Sequence, residues 1–452
     1  MKIVIIGGVA AGAKAAAKIK RDLPNSEVVI YTEDTHVSYS ACGLPYYIEG
    51  NFEDWHKLIV RTKEEFEKSG ISVFTLHRAI KILPEEKLVS IQNLQTLETS
   101  LIYYDKLVIA TGASPNTLPI NGIDLENIFY LKRLEDGINI RKTMQNVENV
   151  TIIGGGYICI ELLEAFVKND KKVTIIEKMP YLLPIFDIKI TQIIQQYILE
   201  NCKNNVRIIT NDTVGEFIGE KQVKTIKTAK GITFDTEMAV ISIGVHPNVQ
   251  IARDAGIEIG ITGAIKVNSR MQTNITDIYA CGDCAEKINI ITETPMWIPL
   301  GSTANKEGRI AAINITGDVE DFEGILGSIV TRYMDLSISM SGLSERAAKT
   351  LGYDTVSTIV TKRDKAGYMP EVENITLKLI ADRRSHKILG IQAIGCGDAD
   401  KKVNMISVGL SHRITVENLL NVDLTYAPPF STSIDIIHFA ARMLKNKLNE
   451  QV

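Results

Sequence analysis

An apolar strand, a glycine-rich turn and a helix recur twice in this 452-residue chain, and that repeat restricts the fold more than any other feature. The first copy runs Ile3-Val4-Ile5-Ile6 into Gly7-Gly8-Val9-Ala10-Ala11-Gly12, and a second strand, Val28-Val29-Ile30-Tyr31, ends in Thr32-Glu33. The second copy runs Val150-Thr151-Ile152-Ile153 into Gly154-Gly155-Gly156-Tyr157-Ile158-Cys159, and Val173-Thr174-Ile175-Ile176 leads to Glu177. An acidic residue at the end of the next strand, roughly 20 residues past the loop, is the spacing of a dinucleotide-binding βαβ unit. Glycines there permit a tight turn and close phosphate approach, while unpaired amides at the helix start hold the pyrophosphate. The chain therefore reads as α/β, with two Rossmann-like dinucleotide-binding domains.

Each loop departs from the ideal at one position. Val9 replaces the middle glycine of the first, and Cys159 stands where the third glycine of the second is expected, so that helix and strand should pack slightly further apart. Cys159 itself reads as a small packing residue. Glu33 is the choice for the first adenosine ribose, with Thr32 beside it. Glu177 is the choice for the second, where a carboxylate accepts hydrogen bonds from a ribose 2′-hydroxyl and repels a 2′-phosphate. NADH is favoured over NADPH on that ground, although Lys178 beside it weakens the inference. Between the two loops lies Cys42, with no second cysteine within a few residues. Two dinucleotides and one thiol imply relayed electrons, a hydride passing from a nicotinamide to a flavin and then to sulfur. Without a local partner, the oxidised thiol must be a mixed disulfide, persulfide or sulfenate.

Composition narrows the setting. With 45% hydrophobic residues the chain can bury substantial cores, and its length suits roughly three domains. A net charge of -4 gives no electrostatic footprint for nucleic acid. No apolar stretch reaches membrane-spanning length, and Lys14, Lys18 and Lys20 interrupt any secretory leader. Six scattered cysteines are too sparse for a disulfide framework, which favours a reducing cytoplasm. No metal site is expected.

Further segments carry a family resemblance along the whole chain. Ser38-Tyr39-Ser40-Ala41-Cys42-Gly43-Leu44-Pro45-Tyr46 resembles the active-site segment of the single-cysteine branch of flavin-dependent pyridine nucleotide-disulfide oxidoreductases. Asp105-Lys106-Leu107-Val108-Ile109-Ala110-Thr111-Gly112 is similar to that family's crossover out of the flavin domain, and Ile278-Tyr279-Ala280-Cys281-Gly282-Asp283 to its second flavin motif. Leu300-Gly301-Ser302-Thr303-Ala304-Asn305 resembles the segment that opens a helix beneath the isoalloxazine ring. The resemblance implies FAD and NADH as cofactors. FAD would be held by the first loop from Gly7 to Gly12, by Thr32 and Glu33, by Thr111 and Gly112, by Gly282 with Asp283 on the ribityl chain, and by Ser302, Thr303 and Ala304. NADH would be held by Gly154, Gly155, Gly156, Tyr157, Ile158, Glu161, Glu177 and Gly244. It also places Cys42 over the flavin at a helix start, where the dipole lowers its pKa.

Within the branch, Tyr426-Ala427-Pro428-Pro429-Phe430-Ser431 and Tyr368 resemble C-terminal signatures of the coenzyme A disulfide reductases, which imply a homodimer whose tyrosines reach the partner's cysteine. Oxidase and peroxidase relatives carry a histidine in the first loop, where this chain has Ala10 and Ala11. Coenzyme A, or a related small disulfide, is the implied partner of Cys42, with Lys14, Lys18, Arg21, Ser38 and Ala41 on its side. For the three basic residues, at helical spacing, a solvated face and a phosphate clamp both stand open. Thr303, Phe74 and Ile434 fall where the reductases carry polar or basic ligand contacts, which weakens the case for coenzyme A itself. Cys281 and Cys284 form a C-x-x-C, read as coincidence because the flavin motif lies between them. Cys202 and Cys396 receive no chemistry, and His246 reads as a surface turn residue.

The expected organisation is an FAD-binding domain of residues 1–117 and 248–322, an inserted NAD(P)H-binding domain of residues 118–247, and an α+β dimerisation domain of residues 323–452. In the last, residues 375–380 and 388–393 read as a hairpin, with helices starting near Asp398 and Ser433. Three functions follow in order: an NADH-dependent reductase of coenzyme A disulfide or a related persulfide, an NADH oxidase or peroxidase, and a flavin-binding regulatory protein. An intact Cys42 argues against the third.

Overall fold

The computed structural model describes residues 1–202 and 205–450. Both glycine loops lie where a strand gives way to a helix: Lys2–Ile6 precedes Ala10–Asp22, and Asn149–Ile153 precedes Tyr157–Lys168. Gly7 and Gly154 open these turns with φ of 101° and 100°, a conformation L side chains disfavour. A β-carbon would also lie 2.1 Å from the Ala110 oxygen at Gly7 and 2.5 Å from the Ser242 oxygen at Gly154. Each loop thus presses against the end of the neighbouring strand, which brings its helix N-terminus to the sheet's carboxyl edge.

The first sheet has the order Ile278–Ala280, Lys106–Ile109, Lys2–Ile6, Glu27–Tyr31, Ile71–Phe74, every pair parallel. The second repeats the plan with Val206–Thr210, Lys172–Glu177, Asn149–Ile153, Met238–Ile241 and Ile128–Tyr130, again all parallel. Strands covered on both faces read as unbroken apolar runs, as Ile3 to Ile6 and Ile152-Ile153 do. A three-stranded antiparallel sheet accompanies each, His77–Leu83 with Leu88–Asn93 and Thr99–Tyr103, and Val214–Ile218 with Thr225–Thr228 and Thr233–Asp235. The first sheet is closed only by a strand lying beyond the second. The chain passes between the two on the adjacent short strands Ala113–Pro115 and Val245–Pro247, which pair antiparallel.

The remaining sheet is antiparallel throughout, in the order Ile329–Tyr333, Leu336–Gly342, Ile388–Gly395, Asn374–Asp382, Thr355–Arg363. The expected hairpin falls within Asn374–Asp382 and Ile388–Gly395. The helices Ala399–Ser411 and Ile436–Asn449 start close to the expected points, the latter capped by the Asp435 carboxylate on the Ile437 N–H. Ile437, Ala440, Ala441 and Leu444 on that helix share a core with Leu377 and Leu379. No helix among the described residues is long and apolar enough to cross a membrane.

Candidate active site

Cys42 sits in a single 3-10 turn, Ala41–Gly43, which runs directly into the helix Leu44–Glu49 with Pro45 in its first turn. Proline is suited to that position because it presets φ and has no N–H to leave unpaired. The turn is tied to the first glycine loop through Ser38, which has φ of 49° and donates its N–H to the Gly8 oxygen at 2.8 Å. On the other side begins the helix Gly301–Thr316, so close that a β-carbon on Gly301 would lie 3.7 Å from the Cys42 Sγ. The thiol therefore faces the N-terminus of a long helix.

The expectation of a lowered thiol pKa is corrected here. Solvent reaches Cys42, yet the protein mass around it raises the thiol above its ordinary value, and the Glu161 and Asp283 carboxylates push in the same direction. Lys132 pulls the other way without prevailing. The cysteine also belongs to the short turn ahead of Leu44 rather than to the first residue of a helix.

The Gly282–Asp283 turn lies beside this site and is held from several segments. The Asp283 carboxylate is 3.3 Å from the Lys132 ammonium, and its backbone oxygen accepts from the Trp297 indole at 2.8 Å. Gly282, at φ of 82°, packs against the first-loop helix, where its β-carbon would meet that of Ala11 at 2.8 Å. Gly308 makes the same approach from the Gly301–Thr316 helix, with a β-carbon position 2.3 Å from the Ala11 oxygen. Three segments expected at one nucleotide, the loop from Gly7 to Gly12, the Asp283 turn and the helix carrying Ser302, Thr303 and Ala304, are thus brought together. Thr111 and Gly112 close the group: the Thr111 hydroxyl donates to the Asn248 oxygen at 2.7 Å, and a β-carbon on Gly112 would meet nothing within 4 Å.

At the far end of this cradle, Glu33 pairs with Arg78 at 2.7 Å and with Arg133, while Thr32 is buried. Burial raises the Asp34 carboxyl to about 6 despite the pull of Arg133. Lys132 and Arg133, which were not anticipated, occupy the segment just before the helix Leu134–Met144. Their signal lay in two consecutive cations ahead of Asp136, whose carboxylate accepts both backbone N–H groups, at 2.9 and 2.7 Å.

The second loop differs in one respect from the expectation. The Glu177 carboxylate is buried and turned toward its own loop, accepting from the Gly155 N–H at 2.5 Å and the Met179 N–H at 2.6 Å. It is a loop strut as well as a candidate ribose partner. Gly156 leaves open space where a β-carbon would stand, and Gly244 takes φ of 92°. On the helix after the loop, Tyr157 and Glu161 both face the Cys42 site: burial, Glu161, Asp283 and Cys42 push the tyrosine up to about 12. Burial also raises Glu161 to about 7, with Thr331 as its hydroxyl neighbour and Glu164 adding repulsion. Ile158 is half-buried beside it, and Cys159 is fully buried within the core.

The remaining assignments separate. Lys18 is paired with Asp22, whereas Lys14 and Arg21 are exposed on the same helix. Ala41 opens the cysteine turn and Ser38 lies three residues before it, and Thr303 is buried while Phe74 stacks on Tyr31. Tyr426, Phe430, Ile434 and Tyr368 are exposed on the protomer, at 51%, 78%, 54% and 77%. All six cysteines are free thiols, and Cys281 and Cys284 are fully buried in different cores. Cys202 is buried and Cys396 lies near the Tyr197 hydroxyl. His246 sits in a short strand rather than a turn, 3.0 Å from the Asn116 amide oxygen.

The family model for pyridine nucleotide-disulphide oxidoreductases matches residues 1–308, and that of the family's dimerisation domain matches residues 329–436. The chain belongs to this family. It is 35% identical to the NAD(P)H coenzyme A polysulfide/persulfide reductase of Pyrococcus horikoshii over 98% of both chains. It is 31% identical to the coenzyme A disulfide reductase of Staphylococcus aureus, over 97% of this chain and 98% of the other. Among solved structures, the NAD-dependent persulfide reductase from A. fulgidus superposes with a TM-score of 0.96 at 33% identity, over 99% of this chain and 84% of that one. A water-forming NADH oxidase from Lactobacillus brevis gives 0.95 at 28%, over 100% and 99%. The family's FAD and pyridine nucleotide suit two glycine cradles whose positions at Gly112 and Gly156 stand open.

Proposed function

We propose that this chain is an FAD-dependent, NAD(P)H-driven reductase of coenzyme A disulfide or a related persulfide, working through Cys42. The observation that carries this reading is the lone thiol set against the N-terminus of the Gly301–Thr316 helix, among segments that gather around one nucleotide cradle. The relatives named for coenzyme A disulfide and for persulfide support the substrate class. Domain boundaries at residues 117, 247 and 322 follow the same reading.

Bound FAD supplies two-electron transfer from nicotinamide to sulfur. The loop from Gly7 to Gly12, Thr32, Glu33, Thr111, Gly112, Gly282, Asp283 and residues 302–304 would hold it. The second loop with Glu177 and Gly244 would hold NADH. Cys42, once deprotonated, attacks one sulfur of the substrate disulfide; the S–S bond breaks, a new one forms to Cys42, and the departing thiolate takes a proton. Two electrons arriving at that mixed disulfide release the second thiol and restore Cys42. The raised thiol pKa makes local positive charge important, and Lys132 together with the helix N-terminus provides it. In a homodimer, Tyr426 and Tyr368 of the neighbouring chain would supply phenol donors to the departing thiolate; their exposure on the protomer supports this reading. Lys14, Lys18 and Arg21 would meet coenzyme A phosphates. Oxygen is a second acceptor to test, because relatives named NADH oxidase match the full length, one at 30% identity from Methanocaldococcus jannaschii.

The deciding experiment is anaerobic bleaching of the flavin by NADH, followed by recovery on addition of coenzyme A disulfide, a persulfide or oxygen. Recovery with oxygen alone would refute the reductase reading. A coenzyme A adduct on Cys42 in freshly purified protein would support it directly.

A further inference from the structure

Two fully buried charges lie beneath the flavin cradle, and neither was singled out by any motif. Glu307, on the Gly301–Thr316 helix, is 0% exposed, and Lys287 is 3% exposed. Their charged atoms are 3.5 Å apart. Both are turned on a single residue. Glu307 Oε2 accepts the Gly282 N–H at 2.6 Å, and the Lys287 ammonium donates to the Gly282 oxygen at 2.7 Å and to the Ala285 oxygen at 2.7 Å.

We infer that Lys287 and Glu307 are a positioning pair which fixes the Gly282–Asp283 turn and thereby aims the Asp283 carboxylate at the flavin; this rests on the flavin reading above. Gly282 takes φ of 82° and is pressed against Ala11; a glycine is free to leave that conformation, so the direction of the turn rests on what its N–H and carbonyl bind. A buried ion pair is a poor source of stability, since desolvation offsets most of the attraction, and an apolar pair of similar volume packs as well. An apolar pair cannot hold the donor and the acceptor of one glycine at once. The cost of burial shows at Glu307: its Oε1 lies 3.5 Å from the Lys287 ammonium without a hydrogen bond, and burial raises the carboxyl to about 7 against the pull of Lys287. The Asp283 turn is then braced from every side, with Lys132 on the carboxylate and Trp297 on the backbone oxygen.

The test is FAD affinity of the full-length apoprotein, read from quenching of flavin fluorescence, for K287M and E307Q in two backgrounds, the parent and D283N. In the parent background, K287M is expected to weaken FAD binding by about 10- to 100-fold, because it leaves the Gly282 oxygen without its donor and the buried Glu307 carboxyl without its partner. E307Q keeps an acceptor for the Gly282 N–H and is expected to cost about 3- to 10-fold, which covers the case in which K287M does not fold. If the pair acts through Asp283, both effects shrink to less than about threefold in D283N. Equal weakening in both backgrounds, or none in either, overturns the proposal. Failure of the parent chain itself to bind FAD would overturn the flavin reading first.

Discussion

Substituting Glu177 by glutamine separates the job that the structure shows for its carboxylate from the one proposed for it. Its oxygens hold the Gly155 and Met179 amides, and its charge is the basis for preferring NADH. Glutamine offers one oxygen, so one of those two N–H groups meets an NH2 instead. An unpaired buried donor costs about 1–3 kcal/mol, which should lower the melting temperature by a few degrees. The electrostatic part is separable. Were a 2′-phosphate charge to lie about 8 Å from the carboxylate, in surroundings of effective dielectric near 20, the repulsion would be about 2 kcal/mol, or roughly 30-fold in specificity. E177Q is therefore expected to bring the ratio of kcat/KM for NADH over NADPH down by about 10- to 100-fold. Steady-state kinetics with both nucleotides, alongside thermal melts, measures the two effects on one sample. A lowered melting temperature with an unchanged nucleotide ratio would show that Glu177 only braces the loop, and a parent enzyme that uses NADPH as well as NADH would refute the assignment outright.

Other consequences are as direct. Cys42→Ser should keep FAD and still accept hydride from NADH, since both loops are untouched, while disulfide reduction collapses; undiminished turnover would sink the thiol mechanism. Mixed dimers of Cys42→Ser and Tyr426→Phe chains should regain one intact pocket if the tyrosine acts across the interface, with single-parent losses of about 10²–10³-fold at the phenol. No recovery in confirmed hybrids would place both residues in one chain. Glu161 keeps its proton to about pH 7 in the fold, against 4.5 for an unburied glutamate. The folded chain thus binds more protons than the unfolded one between those values, and stability falls as pH rises through them. Glu161→Gln should stabilise the apoprotein by up to about 3 kcal/mol at pH 8 and leave it unchanged at pH 4; equal melting of the two proteins at pH 8 would contradict the burial of that carboxyl.

Both nucleotide units were legible because backbone geometry leaves little choice: a strand, a left-handed glycine and a helix N-terminus must appear in that order and spacing. The hairpin and the last two helices were legible from periodicity. What escaped was set by groups distant in the chain. The orientation of the Glu177 carboxylate depends on the Gly155 and Met179 amides, and no pattern along the strand specifies it. The thiol pKa is raised first by burial and then by Glu161 and Asp283, residues more than a hundred positions away from Cys42 that only the folded chain brings to it. Lys132, Trp297, Lys287 and Glu307 carry no motif because their roles exist only once the Gly282–Asp283 turn has formed. His246, expected in a turn, was drawn into a strand by pairing with Ala113–Pro115.

The edge strand Ile278–Ala280 has a consequence for how the polypeptide is made. Emerging from a ribosome, the chain completes the parallel sheet of the inserted unit once Met238–Ile241 is available. The first sheet, begun with Lys2–Ile6, must wait for a strand some 270 positions later, which Gly282 and Asp283 immediately follow. At synthesis rates of about 5–20 residues per second, that delay lasts on the order of ten seconds or more. Strand availability thus favours earlier completion of the inserted sheet, and the segments of the first cradle are not all present until the nascent protein is more than half built. An assay on stalled chains would find the inserted unit protected from protease while the N-terminal sheet still lacks its border.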